Sequence, residues 1–286
     1  MRLSKHHGLA NDFLVVLDTS GDLVGRVDAR LARAVCHRTR GIGADGLILG
    51  EVRGDGTLRM VLFNGDGSRA EISGNGIRCL AQAEAMRRGA THCDLVIDTD
   101  GGRRLLEVRP AADARTVSVS VVMGAVRPGP SIAAEPPVID GAVLQRRDGT
   151  PTMGTGDIGN PHWVVLVDDA RGVALATTGP RFEALVPGGV NVEFISVRDD
   201  ERDAIDLTVW ERGSGITEAC GSGASVAATL AHRWGLVGTE VAVHMPGGAA
   251  LVRLGDEVTL VGPSVHIADV DIDPDTIGRD WLDGGS

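Results

Sequence analysis

The chain writes one phrase twice. Residues 71–79 read EISGNGIRC and residues 218–226 read EACGSGASV. Each copy sets a Glu, one spacer, a Ser or Cys and then G-x-G ahead of a helix-like run. Aligning Phe63 with Trp210 brings Glu71 onto Glu218, Ser73 onto Cys220, Gly74 onto Gly221 and Gly76 onto Gly223. The likeness continues downstream. LVIDTDGG (95–102) matches VAVHMPGG (241–248) in pattern, and VSVSVVMGAV (117–126) echoes EVTLVGPSV (257–265). Upstream, GLANDFLVV (8–16) resembles DIGNPHWVV (157–165) in the place of its Asn. A period of about half the chain rules out a solenoid and predicts two diverged copies of one domain. The proline-rich stretch VRPGPSIAAEPPVIDG (126–141) falls where a crossover between the copies belongs.

Short alternating runs dominate both copies. FLVVL, LRMVLF, LVIDT and TVSVSVV read as strands in the first; HWVVLV, VEFISV, DLTVW, VAVHM and EVTLV do so in the second. Helices are predicted over about 75–88 and 222–234, directly after the G-x-G turns, with a further one near 28–37. The class is therefore α+β: two pseudo-symmetric domains, each a mixed or antiparallel sheet wrapped around a central helix. With eight Phe and Trp in total and no Tyr, the core must rest on Val, Leu, Ile and Ala.

The net charge of −11 argues against nucleic acid and anionic membranes as partners, and no basic run offsets it. No window is apolar enough to span a bilayer, and Asn11 and Asp12 interrupt any signal-like stretch at the start. Four cysteines without a C-x-x-C pair give neither a zinc motif nor a disulfide scaffold, so no metal is expected and a cytoplasmic location is. Cys36, Cys79 and Cys93 read as structural.

Ser73 has a plain reading as a helix N-cap; Cys220 does not, because Cys is a poor cap. The glycines of each turn let backbone approach a ligand, and helix N-termini attract anions such as a carboxylate. A thiol there is expected to have a lowered pKa. Two related helix N-termini facing one small carboxylate would set one proton-transfer group on each side of it. That is the requirement of a cofactor-free racemase or epimerase.

The blocks HGLANDF (7–13), GIGADG (41–46), FNGDGS (63–68), SGNGIRC (73–79), GNPH (159–162), GVNVEF (189–194), WERGSGITEACGSG (210–223) and GPSVHI (262–267) resemble the diaminopimelate epimerase family in order and over nearly the whole chain. The resemblance implies a pyridoxal-phosphate-independent isomerase without a cofactor, which interconverts LL- and meso-2,6-diaminopimelate in lysine and peptidoglycan precursor synthesis. It implies the two-domain fold of that family, here 1–122 and 123–266 with the tail 267–286 packing back on the first, and a homodimer.

By position, the resemblance makes Cys220 one catalytic acid/base and puts Ser73 at the site of the other, normally Cys. It makes Glu211 and His162 supports of that pair, with Glu211 also near substrate. Asn11, Asn64, Asn160, Asn191 and Arg212 would hold the substrate's amino and carboxylate groups; Gly74, Asn75, Gly221 and Ser222 would surround the reacting carboxylate. Asn offers both donor and acceptor to a zwitterion, and Arg grips a carboxylate with two parallel bonds. Each also has a plain reading, as a turn residue or an exposed pair.

Two departures stand out. Ser73 leaves three readings open: a working Ser–Cys pair, a racemase or dehydratase acting on another amino acid, or a replacement introduced to trap a complex. Gly46 stands where many relatives place Gln near the substrate.

Overall fold

The computed structural model describes residues 1–111, 113–132 and 152–278. The chain divides into two compact units: Met1–Val121 with Gly262 onward, and Val122–Val261.

In the first unit β1 (Arg2–Gly8) and β2 (Asn11–Asp18) form a hairpin whose tight turn places Leu9 and Ala10 at positive φ. Helix α1 (Ala29–Cys36), capped by the Asp28 carboxylate, leads to β3 (Gly46–Val52), which lies parallel to β2. Then β4 (Leu58–Asn64) pairs antiparallel with β3, and the two-residue β5 (Arg69–Ala70) with β4. Helix α2 (Gly74–Arg88) follows, stopped by Gly89 in the left-handed region. After it come β6 (Cys93–Thr99), parallel to β4, then β7 (Gly102–Pro110) and β8 (Thr116–Gly124), each antiparallel to its predecessor.

The second unit opens with β9 (Arg127–Pro128), which pairs with β10 (Met153–Asp157). Strands β10 and β11 (Pro161–Leu166) are antiparallel; helix α3 (Leu175–Glu183) leads to β12 (Asn191–Val197), parallel to β11. Strand β13 (Ala204–Glu211) pairs with β12, and β14 (Gly215–Thr217) with β13. Helix α4 (Gly221–Arg233) precedes β15 (Glu240–Met245), parallel to β13, and β16 (Gly248–Arg253), antiparallel to β15. The last strand, β17 (Val258–Asp271), pairs by its first residues with β16 and by residues 265–271 with β1. The order of pairings in the second unit repeats that of the first, helix for helix.

Each long helix is lined by strands of its own unit: α2 packs on β1, β2, β3 and β7, and α4 on β10, β11, β12, β13, β15 and β16. Helix α2 is consequently buried on every face from Gly74 to Ala85, including Arg78, Gln82 and Glu84. Such polar groups persist only when bonded. Glu84 pairs with Arg87 and Arg88 at 2.7 Å, and Gln82 bridges His6, Ser264 and the Arg115 carbonyl. An aliphatic core holds for the first unit, where Leu3, Leu14, Val16, Leu31, Val35 and Leu47 cluster. The second unit departs from it. There Trp163, Phe182 and Phe194 form the centre, with ring centroids 4.8 and 5.5 Å apart. Helix α3 is absent from the sequence expectation because Thr177, Thr178, Gly179 and Pro180 read as a breaker. Packing overrides propensity: a Cβ on Gly179 would lie 2.4 Å from the Trp210 ring. Only part of the proline-rich crossover falls within the described residues; 133–141 lie outside them.

Candidate active site

Both Ser73 and Cys220 are N-caps. Ser73 (φ −133°, ψ 124°) and Cys220 (φ −128°, ψ 112°) share one extended backbone conformation ahead of their helices. Ser73 Oγ accepts the Gly76 N–H at 3.0 Å, and Cys220 Sγ accepts the Gly223 N–H at 3.4 Å. The expectation that Cys would not cap is thus corrected: a sulfur can take this place because the glycine at the third helical position lets the backbone come close.

In the first unit, Asn11 and Asn75 are tied together. Asn75 Nδ2 donates to Asn11 Oδ1 at 3.2 Å, and Asn11 Nδ2 donates to Asp45 Oδ2 at 2.7 Å. Asp45 in turn accepts from Arg38, which also forks onto Asp12. Asn64 closes the turn after β4, its Nδ2 donating to Ser68 Oγ at 3.0 Å. The ladder joins these positions, since Gly46 is the partner of both Phe13 and Asn64. Gly46 has no room for a side chain: a Cβ would lie 2.7 Å from the Phe63 carbonyl and 3.1 Å from the Phe13 ring.

The second unit gathers the titratable groups. His162 and Asn191 are neighbours on the parallel pair β11–β12. His162 Nδ1 meets Glu193 Oε1 at 2.6 Å, its Nε2 meets Asn160 Oδ1 at 3.0 Å, and Asn160 Nδ2 points to Ser222 Oγ at 3.4 Å. Asn191 Oδ1 accepts the Arg212 N–H at 2.9 Å, and its Nδ2 donates to the Pro161 carbonyl at 3.1 Å. The Arg212 guanidinium reaches the Gly188 carbonyl at 3.3 Å. Glu211 accepts from the Thr217 hydroxyl, and the Cys220 sulfur lies 3.5 Å from Ser222 Oγ. Gly221 and Ser222 begin α4, and Gly74 and Asn75 begin α2.

The thiol's acidity is the reverse of the sequence expectation. Burial pushes the Cys220 pKa well above the ordinary thiol value, and the Glu211 and Glu193 carboxylates add to it. The Ser222 hydroxyl and the Gly223 amide oppose them and lose. A single helix end is worth too little to offset a fully desolvated thiolate beside two acids. Glu211 is also raised, first by burial. At rest, then, Cys220 carries its proton. Cys36 and Cys79 are pushed up to about 12, chiefly by burial.

Glu193 is the residue that sequence reasoning passed over. It is fully buried, and its Oε2 has no hydrogen-bond partner among the described residues. The signal was present: an acid inside the apolar run VNVEFISV. The repeated pairing order gives it a counterpart. Phe13 and Ile48 stand where His162 and Glu193 stand in the second unit. Correspondingly, a Cβ on Gly76 would meet Ile48 Cδ1 at 3.1 Å, whereas one on Gly223 would meet Glu193 Oε1 at 2.5 Å. The helix end capped by Ser73 has an apolar floor and the one capped by Cys220 an acidic one.

The fold is shared with solved structures that are named as epimerases. The structure matches a predicted epimerase from Pseudomonas aeruginosa with a TM-score of 0.71 at 17% identity, covering 95% of this chain and 98% of that one. It matches a hydroxyproline epimerase from Agrobacterium vitis with a TM-score of 0.65 at 15% identity, over 94% and 91%. The family model for diaminopimelate epimerase matches residues 3–128 and 155–267. The chain is 38% identical to the diaminopimelate epimerase of Moorella thermoacetica, across 93% of this chain and 97% of that protein. It is 36% identical to that of Rhizorhabdus wittichii, across 98% of each. The chain belongs to the diaminopimelate epimerase family.

Proposed function

We propose that this protein interconverts LL- and meso-2,6-diaminopimelate by proton transfer at Cα, with Cys220 on one face of the carbon and Ser73 on the other. The observation that carries this reading is the matched pair of caps: two side chains of one backbone conformation, each at the head of a buried G-x-G helix. Family membership and near-complete coverage by the diaminopimelate epimerases support the substrate. The two domains are read as pseudo-symmetric copies, in keeping with their common order of pairings, and the working form as a cytoplasmic homodimer.

In the forward direction the Cys220 proton passes to Glu211, and the thiolate removes the Cα proton. The electron pair moves into the substrate carboxylate, where the first-turn amides of α2 and α4 (Gly74, Asn75, Gly221, Ser222) meet the growing charge. Ser73 delivers its proton to the opposite face and regains one from solvent, Glu211 releases the proton it took, and the reverse reaction exchanges the roles. Asn11, Asn64, Asn160, Asn191 and Arg212 hold the substrate's amino and carboxylate groups, and His162, braced by Glu193 and Asn160, supports the pair.

Incubation with LL-diaminopimelate in deuterium oxide tests the reading. Deuterium at Cα together with meso product is the expected result. Release of water from a hydroxy amino acid, with diaminopimelate left untouched, would instead assign a dehydratase.

A further inference from the structure

Arg78 of α2 has no exposed surface. Its side chain folds back along the helix toward the N-terminus, the direction in which helical Cα–Cβ bonds tilt. Nη1 donates to the Gly74 carbonyl at 2.9 Å, Nη2 to Asn75 Oδ1 at 2.7 Å and Nε to the Pro263 carbonyl at 3.2 Å. All three acceptors are neutral, and among the described residues no carboxylate pairs with this guanidinium. Burial brings its pKa down to about 10, so it stays charged at neutral pH. A buried charge without a partner is costly, and proteins seldom keep one that has no use.

The fold makes room for it. Gly8 and Gly262 are both outside the left-handed region, so backbone strain does not explain them. A Cβ on Gly8 would stand 3.0 Å from Arg78 Nη2, and one on Gly262 3.0–3.1 Å from Cζ, Nε and Nη2. The glycines of HGLANDF and GPSVHI therefore serve one guanidinium.

Its bonds act on the residues at the head of α2. By holding Asn75 Oδ1, Arg78 turns Asn75 Nδ2 toward Asn11 Oδ1 and so fixes which end of each amide is offered. The Gly74 carbonyl belongs to the same peptide group as the Asn75 N–H. A charge on that oxygen polarises the group and strengthens the N–H as a donor.

We propose that Arg78 is a positioning residue for the substrate's reacting carboxylate, which supplies the missing countercharge at the head of α2 while Arg78 aligns and polarises Asn75. The proposal rests on the epimerase reading above for the identity of the ligand.

The test compares LL-diaminopimelate with its analogue bearing a carboxamide in place of the reacting carboxylate, by calorimetric titration and by Cα exchange. Wild-type protein is expected to prefer the carboxylate. Arg78→Gln should lower kcat/KM by roughly 10- to 100-fold, less than removal of a donor that touches the oxyanion. It should also erase the carboxylate preference while leaving carboxamide binding intact, and Arg78→Lys should restore part of it. A merely structural arginine would weaken both ligands alike; that result, or an undiminished preference, overturns the proposal. Gly262→Ala keeps all three donors but crowds the guanidinium, and carries the same test should Arg78→Gln fail to fold. A wild type that binds the carboxylate in an Arg78-dependent way without exchanging Cα would sink the epimerase reading and leave this one standing.

Discussion

Gly223→Ala and Gly76→Ala are the same substitution at matching helical positions, yet the structure assigns them different outcomes. Each exchange should gain up to about 1 kcal/mol of helix propensity. At Gly76 the new methyl meets the tip of Ile48 at 3.1 Å, which a small side-chain shift relieves, and Ser73 Cβ at 3.2 Å, which asks the backbone to give by only a few tenths of an ångström. At Gly223 it meets Glu193 Oε1 at 2.5 Å, and Glu193 Cδ and Cγ at 3.1 Å. That carboxylate is buried and bonded to His162 at 2.6 Å, so it has nowhere to go. Overpacking costs about 1–3 kcal/mol, and loss of the charge-assisted bond about 1.5–3 kcal/mol. The balance is a destabilisation of about 2–5 kcal/mol for Gly223→Ala and a change within about 1 kcal/mol for Gly76→Ala. Thermal unfolding followed by circular dichroism should show a Tm drop on the order of 5–15 °C in the first case. Cα exchange should fall with it, because the Gly223 amide also reaches Cys220 Sγ. Equal Tm values for the two variants would refute the claim that Glu193 is locked in place.

Cys220→Ala should abolish turnover while Tm stays within a few degrees, and retained activity would remove the thiol from the mechanism. Ser73→Cys should preserve or raise epimerisation, whereas a collapse in rate would reveal chemistry that needs the hydroxyl; Ser73→Ala should cost about 1 kcal/mol through the lost cap, read from urea unfolding. Alkylation of Cys220 should be slow at neutral pH and accelerate only above the ordinary thiol range, since its pKa is raised; rapid labelling at pH 7 would contradict this. His6 is lowered to about 4, chiefly by burial, so the unfolded chain takes up a proton below about pH 6.5 and the folded one does not. Stability should therefore fall as pH drops from about 6.5 to 4, by at most about 1.4 kcal/mol per pH unit, and His6→Gln should flatten that slope in urea titrations.

The duplication and the two central helices were legible because G-x-G turns and apolar periodicity are local signals. Strands β1, β3 and β7 were not. RLSKHHG and GRRLLEVRP are charged and bury few residues (Leu3, His6 and Gly8 in the first, Leu106 and Val108 in the second), and GLILGEV is a continuous run without period. Helix α3 hid behind Gly179 and Pro180; Gly179 is explained by Trp210 lying against it. The candidate residues came from the family resemblance, but their partners did not. Glu193 beside His162 depends on the register between β11 and β12, and the bond from Asn11 to Asp45 joins residues that the loop before β3 brings together. The acidity of Cys220 failed for a similar reason: the sequence displays a helix end, whereas burial and neighbouring carboxylates exist only in the folded chain.

Strand β17 begins against β16 and finishes against β1. The second unit is thus one uninterrupted stretch of chain, while the first waits for a strand encoded near the far end. During synthesis the second unit can acquire all its pairings first. Until residues 265–271 emerge, β1 keeps an open hydrogen-bonding edge, the kind of edge that recruits stray strands. A nascent chain stalled between residues 121 and 262 should accordingly be the species most dependent on chaperones.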